Sequence, residues 1–278
     1  MKICLNDTKL VVCDIDGTLT RDKTIVPSAY TKDIIEKLHQ KGIAFGLASG
    51  RDVEQLRSLK EEWDLSFDFD LIIGLNGSEY YDLSRDQKKV LCMLSREDIR
   101  EIIGKMLDRF PDLNCSIYRN GFRLLRYEDP MAIESKKRTK MDNRIVKSLD
   151  EMWSEPCTKV MFRVSEAVMK QIEPYAEQIS NDRYRCCKTQ LTMMEFVHAQ
   201  SDKGNALRIY CQENGIDLKD VVAFGDMSND NGLLKTAGTG VCMINGGEDT
   251  KKCASVITER SNNEDGCAAF IERYILDQ

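Results

Sequence analysis

The sequence predicts an α/β protein, an open and mostly parallel sheet interrupted by an α+β insert. Three observations lead there. The first third of the chain alternates short apolar, β-branched runs with helically spaced segments, the last third resumes that rhythm, and the middle sets strand-like runs beside one another.

In chain order, Lys9–Cys13 is an apolar run ending at Asp14, as expected of a central parallel strand buried on both faces. Ile34, Ile35 and Leu38 follow helical spacing, with Gly42 as the stop. Ile43–Ala48 reads as the next strand, Arg51–Trp63 as a helix and Leu71–Leu75 as a third strand. In the last third, Ala206, Leu207, Tyr210 and Cys211 share a helix face that stops at Asn214-Gly215. A strand follows at Val221–Phe224, a short helix around Leu233 and Leu234, a strand at Gly240–Ile244 and a closing helix at Ala268–Ile275.

In the middle, Ser95 and Asp98 form a capping-box pattern at the start of a helix running to about Phe110. Strand-like runs occur at Leu113–Tyr118, Phe122–Arg126, Lys159–Val164, Tyr184–Lys188 and Leu191–Val197, with a helix at Glu166–Ile179. Short turns between neighbouring runs predict an antiparallel sheet with helices on one face. The borders fall near Leu83 and Thr189, giving a core of residues 1–83 and 189–278 and an insert of 84–188.

The 278 residues suffice for one domain plus an insert, with 42% hydrophobic and 31% charged residues. A net charge of -6 gives no electrostatic reason to expect nucleic acid or an anionic membrane as partner. An anionic substrate then needs a locally positive site. The N-terminal run is too short and polar for a signal peptide, and no apolar stretch approaches a membrane span. Eleven scattered cysteines without a CxxC pair read as reduced cytoplasmic thiols, and two histidines argue against zinc.

Four motifs lie at ends of expected strands, where open α/β sheets bind ligands. In Asp14-Ile15-Asp16-Gly17-Thr18, one carboxylate can attack phosphorus while the other donates and later recovers a proton. Taken alone, the motif is also an Asx-rich turn. In Ala48-Ser49-Gly50-Arg51, a hydroxyl beside a helix start can hold phosphate oxygens, though Ser-Gly after a strand is commonly a plain turn. Lys203, in Ser201-Asp202-Lys203-Gly204, can neutralise the nucleophile and the phosphoryl group. In Gly225-Asp226-Met227-Ser228-Asn229-Asp230, Asp226 is the candidate metal carboxylate, with Asn229 and Asp230 beside it. Mg²⁺ needs only one or two carboxylates because it keeps several waters.

The set DIDGT, SGR, DKG and GDMSND, in this order, resembles the haloacid dehalogenase superfamily, and the long insert between the second and third motifs resembles its Cof-type branch with a type C2B cap. The segments Thr236–Val241 and Ser261–Gly266, and Asn76-Gly77 after the third strand, resemble the same branch. The resemblance implies a HAD-like Rossmannoid core and a Mg²⁺-dependent phosphatase with an aspartyl-phosphate intermediate. By the same resemblance Asp14 is the nucleophile, Asp16 the acid/base, and Ser49 and Lys203 the other catalytic groups. Gly17, Gly50, Arg51 and Asn229 line the phosphate, and Asp14, Asp16 (through its carbonyl), Asp226 and Asp230 serve the metal. The expected substrate is a small phosphorylated metabolite, a sugar phosphate by the branch's habit, and the expected state a monomer or weak homodimer. A sugar phosphomutase and a catalytically silent metabolite-binding protein remain as alternatives.

Other residues read more plainly. His198 and Cys13 are expected to pack or link, and His39 to lie at the surface. The basic stretch Lys136, Lys137, Arg138, Lys140, Arg144 and Lys147 reads as a solvated face, with steering of an anionic substrate as the other possibility. Arg119-Asn120-Gly121-Phe122 reads as a hairpin turn.

Overall fold

The computed structural model describes residues 5–119, 121–139 and 141–277. In chain order the elements are β1 (Leu10–Cys13), α1 (Ala29–Gln40), β2 (Ala44–Ala48), α2 (Val53–Arg57), α3 (Leu59–Trp63), β3 (Leu71–Gly74), β4 (Glu79–Asp82) and β5 (Gln87–Val90). There follow α4 (Arg96–Arg109), β6 (Cys115–Arg119), β7 (Phe122–Leu125), α5 (Pro130–Thr139), β8 (Asp142–Ile145), β9 (Lys159–Arg163), α6 (Glu166–Ile179), β10 (Tyr184–Gln190) and β11 (Met193–His198). The chain closes with α7 (Lys203–Asn214), β12 (Val221–Gly225), α8 (Asn231–Thr236), β13 (Thr239–Cys242), α9 (Glu248–Cys253), β14 (Val256–Ile257) and α10 (Gly266–Ile271). They form two units, one of residues 1–91 and 201–278, the other of 92–200.

The first unit holds an eight-stranded sheet in the order β14-β13-β12-β1-β2-β3-β4-β5, parallel from β14 to β3. Strand alternation divides the β1 side chains between two faces. Val11 and Cys13 pack with Ile34, Ile35 and Leu38 of α1, whereas Leu10 and Val12 pack with Leu207 of α7 and Leu233 of α8. A strand covered on both sides has no use for polar residues, which is why LVVC and VVAFG are apolar runs.

The second unit is a six-stranded sheet in the order β10-β11-β9-β6-β7-β8. Ile117, Val160, Phe162 and Phe196 point to one face and pack with Ile99, Ile102 and Met106 of α4 and Met169 and Ile172 of α6. Off this cluster, Lys159 and Glu195 form a buried ion pair at 2.8 Å. The Ser95 capping box is present at the start of α4.

Several expectations are corrected. The helix expected over 51–63 is two helices, because Ser58 turns its hydroxyl back onto the Gln55 carbonyl and Asp64 ends the second in the left-handed region. Strands β4 and β5 were not foreseen; β5, QKKV, is a polar, exposed edge without the apolar signature. Nor were α5 and β8, and β8 runs parallel to β7, so the insert's sheet is not wholly antiparallel. The borders move from 83 and 189 to 91/92 and 200/201. Strand β5 pairs with β4 in the core sheet, while β11 lies between β10 and β9 in the other. The expected hairpin at 119–122 joins β6 and β7, and its Asn120 lies outside the described residues.

Candidate active site

Strands β2 and β3 build outward from one side of β1, and β12, β13 and β14 from the other. The chain therefore reverses its direction of sheet growth at β1 and β12, and a crevice is expected beyond their carboxyl ends. Asp14 follows β1 and Asp226 follows β12, with Cys13 and Phe224 in register.

Asp14 is buried, and its N–H is spent on the Phe224 carbonyl at 3.0 Å. Lys203 enters at the first turn of α7, which Asp202 caps by accepting from Asn205 N–H. Its side chain is wholly buried, and its ammonium donates to Asp14 Oδ1 and Asp230 Oδ1, each at 2.6 Å. Burial acts against the ammonium charge, but the two carboxylates outweigh it and hold the Lys203 pKa above its ordinary value. Asp230 is fully committed: Oδ2 accepts from the N–H groups of Asp226 and Met227 at 3.0 and 3.1 Å.

Asp226 Oδ1 accepts from the Thr18 hydroxyl at 3.0 Å. Its other oxygen faces Gly17, where a Cβ would stand 2.4 Å away and where φ is +90°. Only glycine meets both demands. Asp14, Asp226 and Asp230 bring ligand oxygens within 4.8 Å of one another, all buried. Burial first, then the neighbouring Asp230 charge, pushes the Asp226 pKa up to about 7. Asp14 is likewise raised, by burial foremost and by Asp230 and Asp226, against the pull of Lys203. One ammonium does not balance three crowded carboxylates.

Asp16 stands apart from this cluster. Its side chain is 63% exposed, and both oxygens accept from Arg51 Nη2, at 2.8 and 2.9 Å. Arg51, expected at the phosphate, therefore bears on the candidate acid. Ser49 is buried at the end of β2, its N–H given to Ile73 O and its Oγ accepting from Arg51 N–H at 3.3 Å. Gly50 lies against the Asn76 carboxamide, about where a side chain would touch it at 3.4 Å. Asn229 is half-buried and donates from Nδ2 to Asn76 Oδ1 at 3.1 Å.

Four motifs from distant parts of the chain thus meet at one sheet edge, and comparison with known proteins decides the family. Haloacid dehalogenase-like hydrolases match this chain over residues 11–271. The chain belongs to that family. It is 29% identical to the Arabidopsis thaliana protein named Endoribonuclease YBEY, chloroplastic, over 95% of this chain and 46% of that one, so it spans about half the length of that relative. It is 27% identical to the 5-amino-6-(5-phospho-D-ribitylamino)uracil phosphatase YcsE of Bacillus subtilis over 97% of each chain. A haloacid dehalogenase-like hydrolase from Bacteroides thetaiotaomicron superposes with a TM-score of 0.80 at 27% identity, covering 96% of this chain and 99% of that one.

For a haloacid dehalogenase-like hydrolase, the oxygens here fit a hard divalent cation. Among the described residues Asp14 Oδ2 and Asp226 Oδ2 accept no hydrogen bond, while both oxygens of Asp230 are taken. The set is all oxygen and anionic, as Mg²⁺ prefers. Asp230, the third carboxylate of the group, already bonds through Oδ1 to Lys203 and through Oδ2 to two backbone N–H groups.

Sequence reasoning gave no role to the groups that brace the loop after Asp14. Asn245 Nδ2 donates to Gly17 O at 2.9 Å, Asn262 Nδ2 to Thr20 O and Asp22, and Arg21 pairs with Asp265. The signal was the 261–266 segment, whose resemblance carried no geometry. Of the residues set aside, Cys13 is buried with Sγ 3.8 Å from Cys267 Sγ, and exposed His39 stacks on Phe67. The ten described cysteines are free thiols. In the basic stretch Lys136 pairs with Asp142, while the Arg138 side chain and Lys140 lie outside what is described. No helix among the described residues is long and apolar enough to cross a membrane.

Proposed function

We propose that this chain is a Mg²⁺-dependent phosphatase of small phosphorylated metabolites, with sugar or polyol phosphates as the substrate class. The observation that carries the reading is the buried group Asp14, Asp226, Asp230 and Lys203: three carboxylates crowded about one ammonium, an excess of anionic oxygen suited to a cation beside the candidate nucleophile. The phosphatase named for a phosphoribityl compound among the relatives supports the substrate class.

Asp14 attacks phosphorus as the bond to the leaving oxygen breaks, and Asp16 gives that oxygen its proton. Water then attacks the phosphoaspartate, Asp16 recovers the water's proton, and the Asp14–phosphorus linkage breaks to release phosphate. Arg51 holds Asp16 at the rim of the site between these transfers. Ser49 and Asn229 hold phosphoryl oxygens, and Lys203 favours the ionised form of Asp14 against the burial that raises its pKa and stabilises charge on the phosphoryl group. Mg²⁺, bound by Asp14, Asp226 and the Asp16 carbonyl, would screen the repulsion between two anions that must approach.

Phosphate release over a panel of sugar, nucleotide and cofactor monophosphates with Mg²⁺ tests the reading, with Asp14→Asn as control. Turnover of at least one ester, lost in the variant, is expected. Comparable rates in Asp14→Asn would remove the covalent step.

A further inference from the structure

Three consecutive residues, Leu75, Asn76 and Gly77, hold φ of 49°, 55° and 90°. A non-glycine residue there brings its Cβ against the next carbonyl, and a leucine has no local hydrogen bond to compensate. The turn is nonetheless fixed from several sides. Leu75 N–H donates to Arg51 O at 2.8 Å, and Asn76 N–H to Ser49 O at 3.0 Å. The Ser201 hydroxyl reaches Asn76 O at 3.3 Å. Gly77 packs so closely on the Asp202–Lys203 peptide that a Cβ would stand 2.2 Å from Asp202 O. Backbone strain of this kind persists where the surroundings over-determine it, and it gathers at functional sites.

The Asn76 side chain supplies a second observation. It is 2% exposed, its Oδ1 accepts from Asn229, and its Nδ2 is buried without a partner. A turn serving the fold alone has no reason to keep an unpaired buried donor, since glycine satisfies the same φ without it. The one turn therefore touches the segments of Ser49, Lys203 and Asn229, which are the groups assigned above to the phosphoryl oxygens.

We infer that Asn76 is a positioning residue of the phosphoryl site, its side-chain oxygen fixing the Asn229 amide and its left-handed turn fixing Ser49. The inference rests on the phosphoryl role proposed for Asn229.

The test measures inorganic phosphate affinity in the presence of Mg²⁺ by calorimetry, beside kcat/KM for p-nitrophenyl phosphate. Asn76→Gly keeps the backbone conformation and removes the acceptor. It should raise the phosphate Kd about tenfold, as loss of one ordinary hydrogen bond does, with Tm unchanged or higher. In an Asn229→Ala background the same substitution should change the Kd by less than about twofold, because its effect passes through Asn229. Asn76→Asp keeps an acceptor and tolerates the left-handed region, so at pH 5, where burial beside an anion keeps the introduced carboxyl protonated and neutral, its Kd should stay within about threefold of wild type at the same pH. That variant also carries the test if the glycine variant fails to fold, since a large loss with unchanged Tm would move the role to Nδ2 and overturn the inference. A wild-type Kd in Asn76→Gly, or losses that multiply with Asn229→Ala, would overturn it too. Wild-type protein that binds phosphate but hydrolyses no ester sinks the phosphatase reading alone, and the phosphate measurements still decide Asn76. Protein that binds no phosphate overturns both.

Discussion

Lys203 Nζ stands 2.6 Å from Asp14 Oδ1, although 189 residues separate the two in the chain and no part of the lysine side chain reaches solvent. A buried ammonium is tolerable only with such partners, and the dependence is mutual.

Lys203→Met should therefore cost about 3–5 kcal/mol near neutral pH, because Asp14 and Asp230 are left buried without their cation. Asp14, whose pKa burial already raises, can escape by taking a proton, so the deficit should shrink as pH falls. Urea midpoints at pH 5 and 7.5 check this; a deficit equal at both would contradict the electrostatic account.

Gly17→Ala places a Cβ 2.4 Å from Asp226 Oδ2 at φ +90°. The left-handed penalty alone is about 1–2 kcal/mol. The displacement of Asp226 should also weaken metal binding and lower kcat by more than about tenfold, over 1.4 kcal/mol in the barrier. Titration of activity with Mg²⁺ reads both effects, and a wild-type metal requirement would show that Asp226 had not moved.

Asp226 has its pKa raised to about 7, by burial and then by Asp230. A raised carboxylate favours the folded state while protonated, so the metal-free protein should lose stability as pH rises from about 4 through 7. Mg²⁺ opposes this by competing with the proton. Saturation at a hundred times Kd should add about 2.7 kcal/mol, reversed by EDTA. Asp226→Asn should abolish the Mg²⁺-dependent rise in Tm; an undiminished rise would place the cation elsewhere.

In the second unit, Glu101 bonds to Lys105, Arg183 and Tyr184, and these hold its pKa down at about 2. A depressed carboxylate stabilises above its unfolded pKa and loses that contribution as pH falls toward 2. Denaturant midpoints should therefore drop between about pH 4.5 and 2, and Glu101→Gln should flatten the drop. An equal slope in the variant would assign the acid sensitivity to other groups.

The sequence by itself determined the parallel strands and the motif positions. LVVC, AFGLA and VVAFG must be apolar because helices cover both faces of the sheet, and each run stops where a carboxylate or hydroxyl enters the crevice. Periodicity and turn chemistry are local properties, written within ten residues or so, and they also placed α4, α6 and most strands of the insert. What only the tertiary structure decided depends on distant segments meeting. Strand β5 carries no apolar signal and exists through pairing with β4. Arg51 bears on Asp16, Asp230 is consumed by Lys203 and two backbone donors, and Asn76 reaches Asn229 across 153 residues. Burial and the pKa shifts it causes belong to the assembled site, because water is excluded only when these segments close around the same few side chains.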